Sequence, residues 1–540
     1  MPLHPSKIFT SLGPAYLSPT MDDMLTTAVT GERRCGALPR RPLDWLKVFG
    51  PGAIIASLTI GTGELIFSSR GGALFGYRIL FLFVVISLLK WGLVVASSRH
   101  MVLTGVHPYK RMLDLPGPRG WLTLTLFMIA AVCLPIWISF HSGVLGNLTA
   151  WMTGTSEILG GGIDYLWGAA ILAVVVVITA MRSYSTLERI QLIIVAAMVF
   201  CAGVTLILYR PDWLELLKGV FIPQSYMYPP WLSTEYPHIA GQPVWVETTR
   251  YVGVIGGAGF DYLAYTSFMR DKAWGQAGEG PASAKRLAEI AGDPAHPVRR
   301  WLRAPLVDCS ISFLVIIAFS AVFVASGKLI LGPHHKIPDE KNLLNLQSAF
   351  VTGIHPWLLP LYVAGAFLTM FGTLYGTLEV ACSIISEMTH AVSRDFAIRH
   401  ARRIKRITVI WCAVGACAIL LWLFIYQSTG AAGKPRLLLA ILTPANLFTG
   451  VLGCGLFCLM NLWMDRRFLP KGLRLPGWLW LLNLVSAFVF LGLGLKGYWE
   501  DQSRWYAIGS LCAMLLVAAV GAHLAGRWIA PADDKNTLYH

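Results

Sequence analysis

Hydrophobic positions in this chain neither alternate nor recur every third or fourth residue; they run on for about twenty residues at a time, separated by short polar and basic segments. At 1.5 Å per residue, about twenty apolar residues of helix cross the roughly 30 Å hydrocarbon core of a bilayer. Twelve such spans are read near 46–68, 78–98, 121–147, 163–181, 190–209, 250–269, 304–326, 356–387, 407–427, 437–464, 476–495 and 505–528. A helix keeps its backbone hydrogen bonds within itself, which hydrocarbon demands, so the pattern predicts an all-α integral membrane protein. Residues 1–45 are read as a polar, basic cytoplasmic tail without an apolar signal region, and 530–540 as a second cytoplasmic tail.

Two spans break the pattern. Span one carries Ile60-Gly61-Thr62-Gly63-Glu64 near its middle, and span six carries Gly253-Val254-Ile255-Gly256-Gly257-Ala258-Gly259-Phe260-Asp261. Glycine inside a helix costs about 0.8–1.0 kcal/mol relative to alanine in solution, so a dense cluster ending in an acid points to an interrupted helix. Non-helical backbone at membrane depth survives only where it lines a cavity or is buried in protein. Interruptions five spans apart are the mark of an inverted-repeat transporter with its site between them. The expected division is therefore 46–209 for the first repeat, 210–248 for a proline- and aromatic-rich extracytoplasmic lid, 249–464 for the second repeat, and 474–529 for two appended helices. Helices 1 and 6 are predicted to unwind at Gly61–Gly63 and Gly256–Gly259, with the two breaks facing each other. A short surface helix is expected around 282–291.

Charge then sets orientation. Only 14% of residues are charged against 55% hydrophobic, with a mean hydropathy of +0.59 and a formal net charge of +15. With the N-terminus inside and residues at span ends counted with the flanking segments, 31 of the 44 Lys and Arg fall on inner segments and 12 on outer ones, leaving Lys90 alone in the interior of a span. This asymmetry predicts that both termini face the cytoplasm, in the plasma membrane. It accounts for the basic charge without nucleic acid, because the residues are scattered over short loops. Nine of the ten cysteines lie in or beside apolar spans and Cys35 in the inner tail, which excludes a disulfide scaffold. Cys454 and Cys458 read as packing residues, and the outer histidines His334, His335 and His355 as a solvated loop. No nucleophile–base pair or phosphate loop points to an enzyme, and nothing points to a cofactor.

Several stretches resemble the Nramp divalent-metal transporters. They are Gly50-Pro51-Gly52-Ala53 opening span one, Ala73-Leu74-Phe75-Gly76-Tyr77, and Ser98-Arg99 with Leu103-Thr104-Gly105 closing span two. Leu187-Glu188-Arg189, Arg210-Pro211-Asp212-Trp213 and Gly372-Thr373-Leu374-Tyr375-Gly376-Thr377 add weaker support. The resemblance implies a LeuT-like fold of five plus five helices, with a cation held between helices 1 and 6 and commonly moved with protons. The site departs from the family's pattern. Where the family's first broken helix reads Asp-Pro-Gly-Asn, this chain has Gly61, Thr62, Gly63 and Glu64. Where its sixth reads Met-Pro-His, this chain has Gly259, Phe260 and Asp261. A second family histidine aligns with Thr266.

Candidate residues follow from depth and chemistry. Glu64 and Asp261 adjoin the expected breaks, and buried acids in membranes are costly enough to mark function. They could ligate a hard divalent ion, share a proton, or only satisfy freed backbone N–H groups. Gly61, Thr62, Gly63, Gly257 and Gly259 would line the substrate with them. Lys90 is expected to approach Glu64 or Asp261 closely enough for an ion pair or a single bridging water. His141, Ser139, Thr373, Tyr375, Thr377, Glu379 and Asn446, with Thr266, are second-rank path-lining candidates. Two functions remain open on these residues: secondary transport of a divalent cation such as Mn²⁺ or Mg²⁺, coupled to protons, or transport of a small organic solute on the same scaffold. The sequon Asn147-Leu148-Thr149 is expected to lie too close to the membrane for glycosylation.

Overall fold

The computed structural model describes residues 45, 49–181, 196–197, 200–201, 203–204, 206–339, 342–429, 437–500 and 504–525. All regular structure among them is helical. α1 runs over Pro51–Thr59, widens into a π-helix over Ile60–Ser68 and resumes over Ser69–Phe75. α2 (Ile79–Thr104), α3 (Trp121–Met152) and α4 (Ile163–Met181) follow. Half of span 190–209 falls outside the described residues. Two short helices, α5 (Val244–Val254) and α6 (Gly259–Asp271), occupy span six. Then come α7 (Arg303–Ser326), α8 (Leu359–Val392) and α9 (Ala401–Ser428). α10 covers Leu438–Asn446, a π-helical Leu447–Leu452 and Gly453–Phe468, and is followed by α11 (Gly477–Glu500) and α12 (Arg504–Ala525).

Eight helical stretches among the described residues are long and apolar enough to cross a membrane. α5 and α6 are not: 11 and 13 residues reach only about 16 and 20 Å, so they cross only as a pair. The expected surface helix is present at Ala284–Gly292, and the 210–248 segment folds into short helices at Trp213–Phe221, Leu232–Glu235 and Pro237–Ala240.

α1 sits at the centre, packed along α7 and α8, while α3 gathers α4, α8, α9 and α12 around it. Asp308 of α7 fixes where α1 begins. Its two carboxylate oxygens accept from the backbone N–H of Gly50 (2.9 Å) and Gly52 (2.7 Å), and Oδ2 also accepts from Tyr265 of α6 (2.7 Å). An anion at a helix N-terminus satisfies donors the helix itself cannot, and here it ties α1, α6 and α7 at one point.

Candidate functional site

The predicted break in span six is present and is sharper than expected. α5 ends at Val254, the chain passes through Ile255–Ala258, and Gly256 and Gly257 take φ of +80° and +96°, which side chains with a Cβ rarely adopt. Gly259 is not part of the break. It opens α6, and a Cβ there would stand 2.7 Å from Phe457 of α10, so its glycine serves close helix packing. Asp261 caps the new helix, accepting from the Ala258 N–H at 2.8 Å.

The predicted break in span one is not present. Gly61, Thr62, Gly63 and Glu64 lie on the π-helical stretch, so α1 widens instead of unwinding. The glycines have a different use: a Cβ on Gly61 would stand 2.0 Å from Thr373 Oγ1 on α8, and one on Gly63 would stand 2.9 Å from the Val254 carbonyl of α5. They let α1 press against both neighbours, and the wide turn turns Glu64 toward the break. Glu64 Oε1 accepts from the Gly256 N–H at 3.3 Å, while Oε2 is buried with no hydrogen-bond partner among the described residues. The whole residue has no solvent exposure.

Lys90 is wholly buried near the middle of α2, but it does not pair with either acid. The ion pairs among the described residues engage Arg70, Arg250, Arg270, Arg286, Lys328, Lys405 and two histidines. Lys90 Nζ donates instead to the carbonyls of Gly253 (3.4 Å), Ile255 (2.8 Å) and Gly257 (2.6 Å). No direct ion pair forms with Glu64 or Asp261, because the break in span six frees carbonyls that take the ammonium's three N–H donors. Tyr262, unnoticed in the sequence, donates to the carbonyls of Gly256 and Gly257 from the other side.

The second-rank candidates divide. Thr373 faces α1, donating to Ser57 O (3.4 Å) and Thr369 O (3.1 Å), and Asn446 donates to Arg250 O (3.2 Å) beside α5. Thr377 meets His141 Nδ1 at 3.3 Å, and His141 packs against Trp137 and Phe140. Ser139 bonds back to Ile136 within α3. Tyr375 donates to Glu379, which also pairs with Lys405 of α9 at 3.1 Å, so this pair braces α8 against α9. Thr266 is buried and held by His107 Nε2 (2.7 Å) and Leu263 O (2.6 Å). Met370, another residue the sequence reading passed over, brings its Sδ against Gly61.

Charged pairs tie the helices on both sides of this centre. Arg70 of α1 and Glu247 of α5 form a buried ion pair that also takes in Arg250 and Tyr251. A small pocket beside it is lined by Phe67, Arg70, Arg250, Leu439, Leu442, Thr443 and Asn446. Toward the far end of α6, Arg270 grips Glu387 of α8 with two bonds of 2.7 and 3.2 Å. Among the described residues no three His, Cys, Asp or Glu side chains converge as a metal cluster, so a shell built on Glu64 and Asp261 needs donors of other kinds.

A family model described as natural resistance-associated macrophage protein-like matches residues 52–500. The chain belongs to the Nramp family. It is similar to the divalent metal cation transporter MntH of Listeria welshimeri, at 24% identity over 351 residues, which are 63% of this chain and 69% of the relative. MntH of Xanthomonas campestris pv. campestris is 23% identical over 480 residues, 86% of this chain and 93% of the relative. Crystal structures of an Eremococcus coleocola manganese transporter, one in complex with an aromatic bis-isothiourea substituted compound, share its fold. That complex gives a TM-score of 0.61 and a mutant 0.63, each at 13% identity over 90% of this chain and 96% of theirs. This Nramp protein thus has the LeuT-like architecture and is a multi-pass membrane protein. Within that architecture its first helix is widened where a full break was expected.

Proposed function

We propose that this Nramp protein is a secondary-active transporter that carries a divalent cation by alternating access, coupled to protons, in a plasma membrane with both termini inside. Family membership and relatives named as divalent metal cation transporters support the cation over the organic solute. One observation carries the reading: Glu64 is wholly buried beside the α5–α6 break with one carboxylate oxygen unpartnered among the described residues. A buried carboxylate in that state calls for a proton or a cation. Glu64 and Asp261 are the proposed ligands, with backbone carbonyls and water completing a hard, oxygen-rich shell.

Uptake into proteoliposomes tests this. Mn²⁺ and Mg²⁺ should compete on comparable terms, Cd²⁺ should gain no special advantage, and Glu64→Gln should weaken uptake by removing a full charge from the shell. Strong Cd²⁺ preference that disappears in Met370→Leu would overturn the hard-ion selectivity. Binding of an organic acid with no uptake of any divalent ion would overturn the cation reading itself.

A further inference from the structure

Lys90 is a charged group that the transport reading leaves unused. Its ammonium has three N–H donors, and three backbone carbonyls at the helix break receive them: Gly253, Ile255 and Gly257, at 3.4, 2.8 and 2.6 Å. Oxygens clustered at such distances around one wholly buried positive centre, in the middle of a membrane-spanning helix, are the surroundings a dehydrated small cation requires. The stem is fixed as well. A Cβ on Gly256 would stand 3.4 Å from Lys90 Cδ, so the break wraps the side chain from Cδ to Nζ.

We propose that the carbonyls of Gly253, Ile255 and Gly257 form a monovalent-cation site that the protein fills permanently with its own Lys90 ammonium. An alkali ion or a free primary ammonium would suit the same oxygens. Because the site is occupied by a covalently attached charge, no such ion binds there and none is available to couple transport. This last consequence rests on the transport reading above; the site itself does not. Lys90 acts on the substrate only as a positioning residue: it holds the break in the shape that presents the Gly256 N–H to Glu64.

The test uses full-length protein in detergent, melted while a bulky cation such as N-methylglucamine is exchanged for K⁺, Na⁺ or methylammonium at constant ionic strength. A ligand that binds only the folded state raises Tm saturably. Lys90→Met keeps the apolar stem but takes the ammonium from all three carbonyls, of which Gly257 alone still receives the Tyr262 hydroxyl. It should melt below wild type in the bulky cation and regain several degrees, saturably, with at least one small cation. Wild type and Lys90→Arg should not respond. A flat response from Lys90→Met overturns the site. So does a saturable rise in wild type, which would show the carbonyls open, and this arm decides alone if Lys90→Met does not accumulate. In proteoliposomes, divalent uptake by wild type should ignore Na⁺ and K⁺ gradients, and a dependence on either would refute the coupling consequence. Absence of divalent uptake would count against the transport reading and would leave the melting result standing.

Discussion

Glu247 is where one substitution should cost this protein most. Its side chain is fully buried, and Oε1 receives Arg70 Nε and the Tyr251 hydroxyl (2.8 Å), while Oε2 receives Arg70 Nη2 (3.3 Å) and Arg250 Nη1 (3.1 Å). Glu247→Gln keeps the shape and removes the charge, leaving Arg70, at 4% exposure, without its main counter-ion. The Pro338 carbonyl at 2.9 Å and Asp339 at 3.7 Å remain, but Asp339 is 28% exposed and its attraction is screened. Removing one partner of a buried pair typically costs about 3–5 kcal/mol, because the surviving charge stays desolvated. The residual partners argue for the lower half of that range. Arg70→Met should cost a similar amount, and the double substitution clearly less than the sum, since it strands neither charge. The assay is a double-mutant cycle on unfolding free energy in mixed micelles, with Tm as the first screen. Two single variants each within about 0.5 kcal/mol of wild type, or a strictly additive double, would refute the claim that the pair holds α1 to α5.

The remaining expectations concern glycines, the α1 anchor and the sequon. Gly63→Ala should lower Tm and uptake together, because its Cβ would meet the Val254 carbonyl at 2.9 Å and backbone cannot move aside, whereas Gly509→Ala in α12, with none of the described residues within 4 Å of the added Cβ, should leave Tm unchanged or raise it. Thermal melts of both variants beside wild type check this contrast. Gly256→Ala should destabilise by about 1–2 kcal/mol from the positive φ alone, again read by melting. Asp308→Ala leaves two backbone N–H groups and the Tyr265 hydroxyl without their acceptor and should cost more than about 2 kcal/mol; Asp308→Asn should recover part of the loss, and equal Tm for both would refute the capping role. Asn147 is buried and donates to Asp164 at 2.9 Å, so expression in glycosylating microsomes should give no mobility shift that glycosidase removes.

Much of the architecture was legible because bilayer physics writes it into sequence. Runs of about twenty apolar residues located the helices, and the Gly253–Gly259 cluster located the break, since glycine takes without strain the positive φ found at Gly256 and Gly257. The depth of Lys90 and Glu64 marked them as functional candidates by solvation cost alone. The same reasoning applied evenly would have found Asp308, an acid inside an apolar span that went unremarked.

What the sequence could not decide was which partner each buried group takes. Glycines at 61 and 63 permit both an unwound segment and a tight helical contact, and the choice depended on α8 and α5 lying close enough to need the missing Cβ atoms. Lys90 could have met an acid or a carbonyl with equal chemical sense. The fold places three freed carbonyls around its ammonium, and backbone oxygens are invisible in a one-letter sequence because every residue carries one. Local sequence therefore determined where this protein spends its polar groups in the membrane. Only the packing of helices distant in the chain determined how those groups are paired, because hydrogen bonds and ion pairs reach about 3 Å and sequence separation carries no information at that range.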